Sequence, residues 1–214
     1  MKLTFISDTH SLHSLLTLGT GDVLVHCGDF TGRGSLEDTL AFAQFMAKQN
    51  FTHKIAIAGN HDWCFEDQRS QEAESILNDH GIIYLNDSGI VLDGVTFWGS
   101  PIQPEFMDWA FNRQRGAPIR QHWEKIPAET DVLITHGPAF GILDWCTHGA
   151  RVGCEDLLEV IQRIQPKIHA CGHIHESYGI REQGGTTFIN ACILNEYYRV
   201  VNPPIEYTLV GENL

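Results

Sequence analysis

The stretch "KIHACGHIHES" (residues 167–177) places three histidines around a single glycine. In an extended segment successive side chains alternate between faces, so His169, His173 and His175 would all point the same way. The apolar run stops at Gly172, which puts His173 and His175 where a strand ends and a loop begins. We therefore treat these two imidazoles as candidate metal ligands. His169 lies deeper in the run, and we expect it to be a hydrogen-bonded core residue.

Apolar runs rich in Val, Ile and Phe recur along the chain. They predict strands at residues 3–7, 22–27, 54–59, 131–137, 167–172 and 186–191. Helical periodicity between them predicts helices at residues 35–49, 67–81 and 154–166, with Ser35 as an N-cap and with Gly81 and Pro166 at the C-terminal ends. Alternation of strand and helix is typical of an α/β fold.

The middle of the chain departs from this alternation. Asp93 and Gly94 separate two apolar arms within residues 89–100, which predicts a hairpin with a type I′ turn, and residues 205–214 predict a further strand. A hairpin added to alternating strands and helices favours mixed sheets over purely parallel ones. Residues 101–130 are rich in Pro, Arg and aromatic residues and have weak periodicity, so we expect a long irregular excursion there.

The composition is that of a globular protein of 214 residues, 43% hydrophobic and 19% charged, and we expect one domain, residues 1–214. No apolar run approaches the roughly 20 residues that cross a bilayer. The apolar start is too short for a secretory signal, so we expect a cytoplasmic protein without a membrane partner.

Six cysteines without a C-x-x-C pair are expected to be reduced core thiols. A net charge of -13 argues against duplex nucleic acid as a partner.

Five of the predicted strands end in polar residues. In open α/β sheets, ligands bind in the crevice outside the carboxyl ends of the strands, so we expect these five ends to converge on one site. The donors that would meet there are Asp8, His10, Asp29, Asn60, His136, His173 and His175.

Seven donors are too many for one ion that keeps an open position, and they suit two. If Asp29 bridges, one ion takes Asp8, His10, Asp29 and His175, and the other takes Asp29, Asn60, His136 and His173. Imidazole and carboxylate ligands without thiolate favour Mn, Fe, Zn or Co over a pure Ca or Mg site. Two neighbouring ions clamp the attacking and leaving oxygens of an in-line displacement, which is the chemistry of phosphoryl transfer.

The motifs D-x-H, G-D, G-N-H-D, H-G and G-H-x-H occur in this order between residues 8 and 175. The full set resembles the calcineurin-like metallophosphoesterase superfamily. The resemblance implies a four-layer α/β/β/α sandwich of two mixed sheets flanked by helices, with the seven donors as metal ligands. It also implies that His61 faces the scissile ester and stabilises or protonates the leaving group, with Asp62 orienting it.

A narrower resemblance is carried by "VLVHCGDFTGRG", "GNHDW", "WGSPIQPEF", "DVLITHGPAFGILD" and "PKIHACGHIHESYG". These stretches are similar to the small metallophosphoesterase-domain proteins known from vertebrate brain and their bacterial relatives. The resemblance implies a dimetal phosphoric ester hydrolase, a phosphodiesterase acting on cyclic nucleotides or similar small phosphodiesters through a metal-bridging hydroxide, with Mn²⁺ as the first expectation. The alternatives are a phosphomonoesterase and a non-catalytic metal-binding scaffold for protein partners.

Other residues near these motifs leave two interpretations open. Aromatic rings could stack on a nucleotide base or pack within the protein, and they are Trp63, Phe106, Trp109 and Phe111. Guanidinium groups could fork a phosphate or remain solvated, and they are Arg113, Arg115 and Arg151. Five further histidines are expected at the surface or in loops, namely His13, His53, His80, His122 and His148. The physiological substrate and the oligomeric state stay open at this point.

Overall fold

The computed structural model describes residues 1–210. Its strands, in chain order, are β1 (Lys2–Ile6), β2 (Gly21–His26), β3 (Phe51–Ala56), β4 (Ile83–Tyr84), β5 (Ser88–Leu92), β6 (Val95–Ser100), β7 (Gln103–Pro104), β8 (Asn112–Arg113), β9 (Val132–Thr135), β10 (Ile168–Cys171), β11 (Gly179–Gln183), β12 (Thr186–Asn190) and β13 (Ile205–Thr208). The helices are α1 (Leu36–Ala47), α2 (Ser70–Asp79), α3 (Ala117–Trp123) and α4 (Glu155–Ile164).

Two large mixed sheets organise these strands. The first has the order β13-β1-β2-β3-β4, with β13 antiparallel to β1 and the other pairs parallel. The second has the order β11-β12-β10-β9-β6-β5, with antiparallel pairs at both edges and parallel pairs in the middle. The mixed sheets expected from the hairpin and the alternating elements are confirmed.

Alternation along the strands divides the core into layers. Leu3 and Phe5 of β1 belong to an apolar layer that also contains Ile134 of β9 and Ile189 of β12, so this layer lies between the sheets. Residues of opposite parity, such as Leu24 of β2 and Leu133 of β9, belong to a second apolar cluster that contains buried residues of all four helices. The helices pair as α1 with α2 and α3 with α4. The molecule is therefore the four-layer α/β/β/α sandwich expected from the sequence.

The predicted elements agree with the structure where their signals are local. The Ser35 hydroxyl accepts a hydrogen bond from the Asp38 amide at 3.0 Å, as expected of an N-cap. Asp93 and Gly94 have φ of 49° and 81°, the positive values that a type I′ turn requires. Strand β3 begins at Phe51, three residues before the predicted start, because it pairs with β2 from Gly21 onward. Strand β13 ends at Thr208, and residues 211–214 of the predicted last strand lie outside the described residues.

The expectation of an irregular excursion over residues 101–130 is wrong in part. The segment contains the short strands β7 and β8 and the helix α3. Pro118 lies in the first turn of α3, where a missing amide hydrogen costs nothing, and Ile119 and Trp123, four residues apart, are both buried.

Two further expectations concern cysteines and membranes. All six cysteines are free and buried, as predicted. Within residues 1–210 no helix has both the length and the apolar character that a membrane span needs.

Candidate metal centre

The candidate ligands lie where strands of both sheets end. Asp8, Asp29 and Asn60 follow β1, β2 and β3 of the first sheet, while His136 follows β9 and His173 follows β10 of the second. The backbone turns sharply at these ends: φ is 54° at Asp8, 58° at Asp29 and 65° at His173. Such left-handed conformations cost about 1–3 kcal/mol at non-glycine residues and occur mainly where function requires them.

Two glycines allow the chain segments to approach one another here. A Cβ at Gly172 would lie 2.0 Å from Ser7 Oγ and 2.1 Å from Asp8 Oδ2. A Cβ at Gly59 would lie 2.3 Å from Asp29 Oδ1. All three distances are far below van der Waals contact, so a side chain at either position would displace a candidate ligand.

The donors form groups small enough to hold an ion. One group joins Asp8, His10 and His175, a second joins Asp29, His136 and His173, and a third joins His10, Asp29 and His61, with the ligand atoms of each group within 4.8 Å of one another. Asp29 Oδ2 lies 3.3 Å from His136 Nε2 and 3.7 Å from His10 Nε2, so this carboxylate stands between the first two groups. This place between the groups supports the bridging role of Asp29, which stays a prediction.

The amide of Asn60 completes the second group, because its Oδ1 lies 2.9 Å from His136 Nε2. The structure thus brings together all seven candidate ligands inferred from the sequence.

The imidazole rings are turned so that lone pairs face other acceptors. His136 Nδ1 donates to the Cys27 carbonyl and His175 Nδ1 to the Asn195 carbonyl, each at 2.9 Å. With Nδ1 as the donor, each Nε2 is directed at a carboxylate or amide oxygen, an arrangement that needs either a proton on Nε2 or a cation between the two acceptors. Both ring nitrogens of His10 are buried without a hydrogen-bond partner among residues 1–210. The donor set therefore fits divalent cations.

Without a metal ion, the charges of Asp8 and Asp29 shift the pKa values of the neighbouring histidines. Burial lowers the pKa of His136, but the charge of Asp29 and a hydrogen bond to it prevail and raise it to about 9. For His175, burial is likewise outweighed by Asp8, and the pKa rises to about 9. Burial and the neighbouring His136 lower the pKa of His173 to about 4. Protons on His136 and His175 thus occupy places where an ion would otherwise balance the carboxylates.

His61 lies beside the groups with one ring nitrogen fixed. Its Nδ1 pairs with the Gly32 carbonyl at 2.8 Å, and its backbone amide donates to Asp29 Oδ1 at 2.7 Å. The imidazole is edge-on to His10, with ring centroids 4.5 Å apart, and stacks on Trp109 at 4.2 Å. The remaining ring nitrogen, Nε2, has no hydrogen-bond partner within residues 1–210, and His61 lines the cleft above the donors.

The expectation that Asp62 orients the His61 ring is wrong in its geometry, because Gly32 holds that ring. The Asp62 carboxylate is fully buried and accepts hydrogen bonds from the amides of Gly59 at 2.8 Å and Asp29 at 2.9 Å. It also accepts from the Thr31 hydroxyl at 2.7 Å. Burial and the charge of Asp29 raise the pKa of Asp62 to about 7, against the lowering effect of these donors. Asp62 therefore fixes the loops that carry Asn60 and Asp29.

The cleft above the donors has a volume of about 550 Å³. Phe106 and Trp109 form part of its wall, whereas Phe111 is buried in the core and Trp63 lines a neighbouring groove. Of the three arginines, two line the cleft, namely Arg115 and Arg151. Arg113 instead pairs with Glu66 at 2.9 Å.

Of the histidines outside the donor set, the structure confirms the expectation for His169 and contradicts it for His13. His169 is buried and its Nε2 pairs with the Thr135 hydroxyl at 2.8 Å, so the core assignment is confirmed. His13, expected at the surface, is instead buried against Phe42 and Phe45. Its place in a short 3-10 turn that packs on α1 explains the difference.

Sequence reasoning missed the loop that follows β12. Tyr198 lies against the rings of His10 and His175, with centroids 4.8 and 5.2 Å apart, and lines the cleft. Cys192, also beyond β12, donates its thiol to Asp8 Oδ2 at 3.1 Å. The one signal in the sequence that could have found this loop is its position. Residues 191–198 follow the strand predicted at residues 186–191, whose carboxyl end lies at the same edge as the candidate ligands.

Comparison with known proteins places the chain among metal-dependent hydrolases. A family profile described as calcineurin-like phosphoesterase matches residues 1–177. Metallophosphoesterase domain-containing protein 1 of Homo sapiens is 38% identical over 228 residues, which cover 95% of this chain and 69% of the human protein. A UPF0046 protein of Caenorhabditis elegans is 37% identical over 225 residues, 100% of this chain and 77% of that protein.

Solved structures share the fold at low sequence identity. The phosphopantetheinyl hydrolase of Mycobacterium tuberculosis superposes with a TM-score of 0.61 at 15% identity, over 92% of this chain and 90% of that one. The protein TT1561 of Thermus thermophilus gives 0.57 at 12% identity, over 88% of each chain. These structures show the shared fold. The family profile and the similar curated proteins show that the chain belongs to the calcineurin-like phosphoesterases, whose class of activity is metal-dependent hydrolysis of phosphoesters.

Proposed function

We propose that this chain is a phosphodiesterase for cyclic nucleotides or similar small phosphodiesters, and that it uses two divalent ions, with Mn²⁺ as the first expectation. The observation that carries the proposal is the gathering of seven nitrogen and oxygen donors, in two groups on either side of Asp29, in one cleft beside His61. Mixed nitrogen and oxygen donors also accept Fe, Zn or Co.

The ions would be held as the donor groups suggest. Asp8, His10, Asp29 and His175 would hold one, and Asp29, Asn60, His136 and His173 the other. When bound, such ions lower the pKa of a coordinated water and neutralise charge on a phosphoryl group. The backbone carbonyls of Cys27 and Asn195 keep the His136 and His175 rings in the tautomer that presents Nε2 as a ligand.

His61 would act on the leaving group. Its Nδ1 is engaged by the Gly32 carbonyl, so the exchangeable proton for catalysis is the one on Nε2, which pairs with no group within residues 1–210. Donation of this proton to the departing oxygen would avoid release of a basic alkoxide. Asp29 contributes a second function, because its Oδ1 accepts a hydrogen bond from the His61 amide and so links His61 directly to a candidate metal ligand.

The charges around the cleft favour a diester over a monoester. Three carboxylates line it besides Asp29, namely Glu105, Glu176 and Glu196. Arg115 and Arg151 line it too, but their charges are balanced by Glu155 and Asp144. A phosphodiester carries one negative charge and a monoester close to two near neutral pH, so carboxylates on the walls repel the diester less.

An assay of the purified protein with Mn²⁺ tests the proposal. Bis-p-nitrophenyl phosphate and p-nitrophenyl phosphate distinguish diester from monoester cleavage, and 2′,3′- and 3′,5′-cyclic nucleotides examine the proposed substrate class. We expect cleavage of diesters at a higher kcat/KM than the monoester. Preference for the monoester would replace the proposal with a phosphomonoesterase, and absence of any cleavage with two ions bound would favour the scaffold.

A further inference from the structure

Trp109 covers one face of the His61 imidazole. The two rings stack with centroids 4.2 Å apart and planes inclined by 23°. We propose that Trp109 is a positioning residue that holds His61 at the angle needed to protonate the leaving group. The inference rests on the role proposed above for His61 and gives residues 101–130 a part in the reaction.

The stacked ring belongs to a segment fixed to the loop that carries His61. The Ala110 amide donates to the Asn60 carbonyl at 3.3 Å, and the Phe111 amide donates to the Glu66 carboxylate. Ala110 and Phe111 are both buried. By contrast, Phe106 and Met107 on the other side of Trp109 are 50% and 74% exposed, so the buried anchors of the segment lie on the C-terminal side of Trp109.

Glu66 links the two segments a second time, because its other carboxylate oxygen accepts a hydrogen bond from Arg113 at 2.9 Å. Glu66 follows His61 by five residues, and Arg113 follows Trp109 by four. The segment that carries Trp109 is therefore bonded twice to the carboxylate of Glu66, which belongs to the loop that carries His61. These bonds fix the two stacked rings relative to each other at the edge of an open cleft.

The contact matters because one hydrogen bond does not fix an imidazole. The bond from Nδ1 to the Gly32 carbonyl leaves the ring able to pivot about that oxygen, which would swing Nε2 away from the leaving group. Trp109 blocks this motion on one face and His10 limits it at the edge. Trp109 also borders a second groove lined by Arg33 and Trp63, so its ring separates His61 from that open groove. A displacement of about 1 Å at a reacting group costs on the order of 100-fold in rate.

Two diesters with different leaving groups test the inference. Bis-p-nitrophenyl phosphate releases p-nitrophenolate, which leaves without a proton, whereas diphenyl phosphate releases the more basic phenolate and depends on an acid. We expect Trp109→Ala to lower kcat on diphenyl phosphate by about 10- to 100-fold and kcat on bis-p-nitrophenyl phosphate by less than about 3-fold. Trp109→Phe keeps a stacking ring and should recover most of the loss. Trp145→Ala is the matched control, since this tryptophan is 50% exposed and its ring lies under Arg151 rather than His61.

The double variant His61→Ala/Trp109→Ala separates a positioning role from a structural one. If Trp109 acts through His61, removing both costs no more than removing His61 alone. Equal losses of Trp109→Ala on both diesters, or additive losses in the double variant, would overturn the inference. If His61→Ala itself keeps full activity on diphenyl phosphate, the proposed role of His61 is refuted. If only His61→Ala loses that activity, the Trp109 inference alone is refuted.

Discussion

Gly172 lies directly beneath the carboxylate of Asp8, and the variant Gly172→Ala tests whether the close approach of these segments builds the metal centre. The new Cβ would start 2.1 Å from Asp8 Oδ2 and 2.0 Å from Ser7 Oγ. Real Cβ atoms stay at least 3.0 Å from such neighbours, so Asp8 or the strand end beneath it must move by about 0.9 Å, the difference between these distances at Oδ2. Metal sites tolerate deviations of only about 0.2 Å in their ligand distances.

The expected effects follow from this displacement. Forcing an extra methyl group into a packed interior costs about 1–3 kcal/mol of unfolding free energy. For a chain of this size that corresponds to a fall in Tm of about 2–12 °C. Movement of Asp8 by almost 1 Å should lower turnover on the order of 100-fold. The effect on activity should therefore be large while the protein remains folded.

The measurement combines metal content, circular dichroism and diester turnover in the presence of Mn²⁺. Gly137→Ala is a matched control, because it also follows a strand of the second sheet, and within residues 1–210 its Cβ would have Gln103 Cβ, at 3.7 Å, as its one neighbour within 4 Å. A folded Gly172→Ala protein that binds two ions and keeps the turnover of the unmodified protein would refute the assignment of Asp8.

Three more predictions concern the same centre. Asp29→Ala should lose both ions, because this carboxylate stands between the two donor groups; elemental analysis that still finds two bound ions would contradict the bridge. His61→Ala should keep both ions and lose about 10²–10⁴-fold in kcat on diphenyl phosphate, the usual share of an acid catalyst, so loss of an ion instead would make His61 a ligand. In the metal-free protein the pKa values of His136 and His175 are raised from 6.5 to about 9, so their protonated rings stabilise the fold below pH 6.5 and this stabilisation is lost as the pH rises through 9. The Tm of chelator-treated protein should therefore fall between pH 7 and 9.5 and fall less with Mn²⁺ present; an unchanged or rising Tm without metal would contradict these pKa shifts.

The strand ends were predictable because each signal is local. An apolar run followed closely by Asp-x-His, by Gly-Asp or by Gly-His-x-His shows both the strand and its end. Parallel pairing then brings the ends to one edge without knowledge of any particular contact. The positions of Asp8, Asp29 and His173 could therefore be inferred from neighbouring residues alone.

The features that sequence reasoning missed depend on partners far along the chain. Helix α3 has only seven residues, and its stability comes from contacts such as the hydrogen bonds of Arg120 to Asp156 of α4 at 2.8 and 3.1 Å. The stacking of Trp109 on His61 joins residues 48 positions apart in the chain. Asp62 has the spacing of a residue that could orient His61, but the folded loops direct its carboxylate to backbone amides. Contacts between residues so far apart in the chain, or set by how loops fold, cannot be inferred from the residues on either side of each partner.

The candidate ligands are divided between the two sheets, so the metal centre lies at an edge where the sheets are joined to each other. At the edge that carries the cleft, β1 of the first sheet already meets the second through the backbone bridge between Ser7 and Cys192. An ion held by both Asp29 and His136 would add a second link between the sheets at the same edge. At the opposite edge, side-chain contacts such as that of Thr187 with Tyr207, at 3.2 Å, connect the layers. We therefore expect that, on heating, the two sheets begin to separate at the end opposite the cleft and stay together longest at the metal centre.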